Sequence, residues 1–349
     1  MTKNELETLV YQGKPISSVD LASADLRNAR IGGGVFDSVS FAGARLEGAV
    51  LTESTFAECD FRGAILDGAN LHHANIHACV AAGFRARGVY AAFAAFSQTD
   101  LSDADFSNAD LLSASFVGGN LSGAVFSRAS MDRTSVIDAS TLGIDLREAK
   151  LRQVVLMNAD LREAKLEGAR LEMVVLNGAN LEGVSLKEHS LRLCQLVEAN
   201  LRGCDLSGAD ITQSNFKGSD LSSATLRGAQ APNALFVEAT LEAADFSGAT
   251  LAQSIFIDAR AARANFSGAN MQQCILHRAD CSSVRFEDTD LTYADFSHAL
   301  VQQSYFGTKK VFRAVFHGAK DEGAYFADRS QALGDDPDVK EAEEWEQKF

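Results

Sequence analysis

The chain has 349 residues, with 47 acidic against 32 basic side chains, for a formal charge of -15. That sign repels nucleic acid and anionic lipid, so neither nucleic acid nor membrane is expected as a partner; a basic or neutral protein surface remains. The opening MTKNELETLV lacks a basic segment followed by an apolar one, and no later run is long enough to cross a bilayer, so a cytoplasmic location is expected.

Residues 1–15 carry one short helical signal. Thr2 and Glu5 form a capping-box pattern ahead of Leu6, Leu9 and Val10, and Gly13 is placed to stop the helix. This segment is expected to cover the element that follows.

From Ile16 to Phe326 a large apolar residue recurs at every fifth position, beginning Ile16, Leu21, Leu26, Ile31, Phe36 and Phe41. About 63 pentads follow one another without net insertion or deletion, and neither a helix nor an ordinary strand has this period. Two residues before each large one sits a small one, as at Ala24, Ala29, Ala44 and Ala49. Small and large, two apart in an extended step, point to the same side, and both are expected inside. Four such steps joined by tight turns close a square coil of about twenty residues. Coils stacked at roughly 4.8 Å give about sixteen turns and a rod of roughly 75 Å.

The pentads ADLRN, ADLSD, ANLEG, ADFSG and ADLTY resemble the A-(D/N)-L-x-x signature of the pentapeptide-repeat family. The resemblance covers about nine-tenths of the chain. It implies an all-β solenoid, a right-handed quadrilateral β-helix, and a non-catalytic role without cofactor. It also implies two kinds of partner. The best-understood members protect DNA gyrase by imitating duplex DNA, and others accompany bacterial secretion systems, in some of which a helix also precedes the pentads.

Phenylalanine favours one opposed pair of faces, with Phe216, Phe236 and Phe256 on one and Phe246, Phe266 and Phe286 on the other; stacked ladders are expected there. Leu occupies every centre from Leu146 to Leu206, which predicts a slightly different cross-section. Ala81, Ala86 and Ala91 are three small centres in succession, with Phe84 and Val89 at normally small positions. Either the volumes are exchanged or residues 81–95 loop out. Ala231 beside Pro232, and Ala261, mark milder interruptions.

Candidate chemistry falls away when placed in this register. Cys59, Cys79, Cys194, Cys204 and Cys274 occupy the small inward position and Cys281 a large one, so six reduced core thiols are expected. His72 and His73 fall on an exposed corner and His77 on the next face, which predicts solvated histidines and no metal site. Gly32, Gly33 and Gly34 precede no helix and form no phosphate loop. Asp residues before the large centre, such as Asp60, Asp160 and Asp210, recur too regularly for acid–base pairs and read as turn residues. No catalytic site is expected.

The residues before and after each centre point outward. Three faces are expected to be polar throughout. The fourth carries Val117, Ile137, Val155, Met157, Val175, Val197, Leu235, Val237, Ile255, Ile257, Ile275 and Val315. They are expected as two patches, around 135–175 and 235–275, separated by Asn215 and Lys217, and such a surface marks a protein interface.

Residues 327–349 form an acidic C-terminal segment. Asp336 and Pro337 start a short helix whose stripe of Val339, Ala342, Trp345 and Phe349 is expected to cap the last coil or pair two subunits as a homodimer. The leading expectation is therefore a scaffold or adaptor that binds another protein, or a second copy, through the apolar face, beside a secretion system. The alternative is an acidic DNA mimic that binds a topoisomerase such as DNA gyrase. Charge density disfavours it: duplex DNA would carry roughly 44 charges over such a rod. Residues 321–349 hold ten acids and three bases, net -7, which leaves only -8 on residues 1–320.

Overall fold

The computed structural model describes residues 1–308, 310–343 and 345. The chain divides into two compact units, residues 1–180 and 181–349.

In the first unit helix α1 spans Lys3–Tyr11, with the Thr2–Glu5 capping box in place. It ends in a Schellman motif: the Gly13 and Lys14 N–H groups donate to the carbonyls of Val10 (2.8 Å) and Leu9 (3.0 Å), with Gly13 at φ +67°. The helix covers the first coil as expected. Leu6 is buried beneath it, Lys3 Nζ donates to the Arg27 carbonyl at 2.7 Å, and Glu7 accepts from the Arg30 N–H at 2.8 Å. Edge groups that would otherwise recruit another strand are thereby occupied.

Short parallel strands then recur every twenty residues: β1 (Ile16–Ser17), β2 (Val35–Asp37), β3 (Thr55–Ala57), β4 (Asn75–His77), β5 (Ala95–Ser97), β6 (Ser115–Val117) and β7 (Ser135–Ile137). Ile16 pairs with Phe36, Phe36 with Phe56, and Phe116 with Val136. Strand β8 (Lys150–Arg152) opens a second face, β9 (Val155–Met157) continues the first, and β10 (Arg170–Glu172) pairs with β8. This added pairing lies inside the all-Leu stretch, where a changed cross-section was expected. In the second unit single bridges carry the same twenty-residue register from Ser185↔Asp205 to Leu300↔Lys320, and β11 (Tyr305–Phe306) pairs with β12 (Tyr325–Phe326). The period ends there, for Val315 pairs with Leu333, eighteen residues on.

Pentads turn through a left-handed residue two positions after the large one, as at Gly43 (φ +64°) and Asn28 (φ +55°). An aspartate just before the large residue caps that turn: Asp20 Oδ1 accepts the Ala22 N–H at 2.9 Å, and Asp60 and Asp220 repeat the contact to Arg62 and Ser222. The N–H between the two turn positions otherwise has no ladder duty, so Pro232 sits there without cost and its carbonyl still accepts from Gln213 (3.1 Å).

Both inward positions are buried, for example Ala44 and Leu46. Phe236 stacks on Phe256 at 4.9 Å and meets Phe246 edge-on at 5.6 Å, so the two ladders interlock across the core. Serine also takes the small inward position. Ser254 Oγ donates to the Ala231 carbonyl (2.6 Å) and accepts the Ala234 N–H (3.3 Å), which satisfies a buried hydroxyl within the preceding coil. At 81–95 the chain stays in the coil. Phe84 and Val89 are buried beside Ala81, Ala86 and Ala91, so the volume exchange holds and the loop reading does not. A cavity of about 10 Å³ remains there, lined by apolar side chains including Leu71, Ile76 and Phe96. It is at the lower limit for one water and offers none of the polar partners a water needs.

Candidate functional site

The outward columns of the expected apolar face stand in register. In the first unit Val117 pairs with Ile137 and Ile137 with Met157, and Val155 bridges to Val175 in the neighbouring column. Val117 and Met157 are exposed by 39% and 41%; Ile137, Val155 and Val175 are half-buried because the coils above and below cover their flanks. In the second unit Leu235, Ile255 and Ile275 form one column, with Val237 and Ile257 beside it, all half-buried. Asn215 and Lys217 bound this patch on one side, and Asp295 and His277 on the other.

Val197 and Val315 stand on the same face but outside both patches. Val197 lies one coil before Lys217, in a coil whose other column carries Gln195, while Val315 is cut off from Ile275 by Asp295 and pairs instead with Leu333.

The other faces are not polar throughout. Val50, Val80, Tyr90, Phe93, Leu193, Tyr293, Tyr305, Phe312 and Tyr325 are exposed on them. Phe93, Leu193 and Tyr293 occupy the left-handed turn position at φ +58° to +60°, where a bulky side chain is unfavourable and is thrown outward. Their place two residues after a pentad centre was the available signal. Phe93 stacks on His73 (5.0 Å), and His72 meets His73 edge-on (4.3 Å) while His77 Nδ1 bonds to Ser97 Oγ (2.9 Å), so the three histidines do not converge.

Helix α2 (Pro337–Glu343) buries none of its apolar stripe. Val339, Ala342 and Trp345 are exposed, and Phe349 lies outside the described residues. The final coil is covered another way. Arg329 lies over the rings of Phe316 (5.0 Å) and Phe326 (4.6 Å) and pairs with Asp321, so a guanidinium closes the aromatic ladder. Helix α2 is instead held through Glu343, which contacts His298 and His317, while Asp335 just before the helix accepts the Gly318 N–H.

The acidic columns are largely partnered. Asp60, Asp145 and Asp160 pair with Arg62, Arg147 and Arg162 within their own turns, and Asp210 and Asp220 pair across coils with Arg192 and Arg202. Arg27 holds the Asp25 carboxyl down at about 2. All six cysteines are buried; burial pushes Cys204 and Cys274 up to about 12 and Cys281 higher still, which keeps those three as thiols. Among the described residues no helix is long and apolar enough to cross a membrane.

Stacked twenty-residue coils with small and large side chains directed inward define a β-solenoid. The chain belongs to the pentapeptide repeat family, whose model matches eight overlapping or successive segments between residues 20 and 306. No curated protein matches. Among solved structures the chain is similar to HetL, a pentapeptide repeat protein involved in heterocyst differentiation regulation from the cyanobacterium Nostoc sp. strain PCC 7120, at 25% identity over 81% of this chain and 96% of that one, with a TM-score of 0.22. It is also similar to a thylakoid-lumen pentapeptide repeat protein of Arabidopsis thaliana (26%, covering 35% and 63%, TM-score 0.17). A third likeness is to QnrB1, a plasmid-mediated fluoroquinolone resistance protein (22%, covering 63% and 91%, TM-score 0.22).

Proposed function

We propose that this chain is a non-catalytic cytoplasmic scaffold that binds a protein through its outward apolar columns. The observation that carries the reading is the patch of Leu235, Val237, Ile255, Ile257 and Ile275, five aliphatic side chains in two adjacent columns bounded by polar residues. Such a surface gains from burial at about 25 cal/mol per Å², less the cost of association. The first-unit patch around Met157 offers the same chemistry. The exposed stripe of Val339, Ala342 and Trp345 is a third apolar surface, suited to a homodimer contact.

DNA mimicry toward a topoisomerase is disfavoured because arginines stand within the acidic columns and neutralise them locally. A place beside a bacterial secretion system rests on the helix-then-pentad order alone. The test is light scattering and pulldown with wild type and the Ile255→Asp/Ile257→Asp variant. Loss of the partner or second copy with an unchanged circular dichroism spectrum supports the reading. Unchanged mass and unchanged partners overturn it, and gyrase inhibition that persists in the double variant but vanishes on neutralising surface acids would put mimicry in its place.

A further inference from the structure

We propose that His298, His317 and Glu343 bind a divalent transition-metal ion, zinc being the probe, and that the ion ties helix α2 to the side of the last coils. One ligand atom from each residue lies within 4.8 Å of the others. Glu343 Oε1 is 3.0 Å from His298 Nε2, and its Oε2 is 3.2 Å from His317 Nε2. A tetrahedral zinc with bonds of about 2.0–2.1 Å holds its ligand atoms roughly 3.3 Å apart; each nitrogen already stands near that spacing from one Glu343 oxygen, and the set of three closes from within 4.8 Å. The two imidazoles stand nearly perpendicular, at 87°, with ring centres 5.3 Å apart. Two neutral imidazoles and one carboxylate suit zinc, cobalt or nickel rather than calcium or magnesium.

Independent features hold the ligands in place. A Cβ at Gly318 would lie 2.6 Å from His298 Nδ1 and 2.8 Å from its Cε1, so glycine at that corner leaves the room that the His298 ring uses. Gly318 N–H also donates to Asp335 Oδ1 at 2.9 Å, fixing the segment that leads into α2. His317 is buried, and its Nδ1 accepts the Asp336 N–H at 3.1 Å. A neutral ring therefore carries its proton on Nε2 and donates it to Glu343. Metal binding at Nε2 moves that proton to Nδ1, where Asp335 Oδ1, now 3.9 Å away, is the acceptor, and the Asp336 N–H gives up its bond. His298 undergoes the same exchange, its proton passing from the Nε2 that faces Glu343 Oε1 at 3.0 Å to Nδ1 of the half-buried ring. Both rings stay neutral, so no net proton is taken up or lost, and at His317 the result is the carboxylate–histidine–metal arrangement that orients metal-bound imidazoles. His298 is half-buried and Glu343 exposed, which leaves the remaining position to water.

The experiment titrates untagged, metal-stripped full-length protein with zinc by calorimetry and with cobalt by visible absorption. The variants are Glu343→Gln and His298→Asn, with His72→Asn/His73→Asn as the control. One equivalent is expected to bind, with tetrahedral cobalt bands. Either site variant should weaken binding by more than the roughly 10–100-fold that loss of an outer-shell partner costs; the control should match wild type. Zinc should also slow tryptic cleavage after Lys340 in wild type and not in Glu343→Gln. Absence of binding at millimolar zinc, equal binding by wild type and both site variants, or loss in the control overturns the site. Saturation with zinc that leaves cleavage after Lys340 unchanged overturns the tie. Circular dichroism of each variant confirms that the coils are intact.

Discussion

The Phe84 ring meets the Phe61 ring edge-on at 6.0 Å, filling from a normally small position the interior that Ala81 leaves short. Phe84 also reaches Phe106 at 5.9 Å, so one side chain carries the packing of three coils. Phe84→Ala is expected to cost about 3–5 kcal/mol, as for other buried phenylalanines. The second change Ala81→Phe should recover a large part, since it restores the usual order of small and large. Denaturant melts of both singles and the double measure the coupling; strict additivity would show that the two positions do not share one space.

Arg329 closes the aromatic ladder, and Arg329→Gln removes the cation above Phe316 and Phe326. The loss is expected to be about 1–2 kcal/mol, confined to the last coil. Hydrogen exchange should quicken at Tyr325 and Ala327, whose N–H groups bond to Ser304 and Phe306, and stay unchanged near Phe236. Exchange that is uniform along the chain, or unaltered at Tyr325 and Ala327, would remove Arg329 from this role.

The cysteines are buried out of reach of solvent, so native protein is expected to react with a thiol reagent only on unfolding. Cys281→Ser places a hydroxyl at a fully buried large position and should cost about 1–3 kcal/mol. Rapid labelling of several native thiols would contradict the burial, and a Cys281→Ser melt equal to wild type would contradict the cost.

Acid should weaken the fold through its capped aspartates. At Asp145 burial pushes the carboxyl up, but the Arg147 guanidinium and N–H bonded to it outweigh burial and hold it below the usual range. A depressed folded value means that its contribution is complete above about pH 4, the ordinary value of an unfolded aspartate, and is lost as pH falls through the lower folded value. Asp145→Ala should therefore cost about 1–3 kcal/mol at neutral pH and show a shallower acid limb in thermal melts. An acid limb that matches wild type would assign the loss to other groups.

The pentad period, the inward small and large positions, the burial of the cysteines and the N-terminal cap were all legible in the sequence, because each depends on spacing within a repeat that never changes length. Individual apolar columns were legible as well. The polarity of the other faces was not: Phe93, Leu193 and Tyr293 stand exposed at turn positions, where the period of five constrains only the backbone and leaves the side chain open.

The C-terminal end shows most clearly what only the tertiary structure decided. The sequence by itself determined that a short helix follows Asp336, since proline and its cap are local signals. It also marked the apolar stripe as the surface to be covered, yet the structure leaves Val339 and Trp345 exposed and sets Glu343 between His298 and His317. Those partners lie 45 and 26 residues away, at positions where histidine breaks no repeat rule. A period of five records which side chains go inward; it does not record which outward ones meet a segment folding back from beyond the repeat. That is settled by where the last coil ends, by the guanidinium that covers it, and by the space left at Gly318.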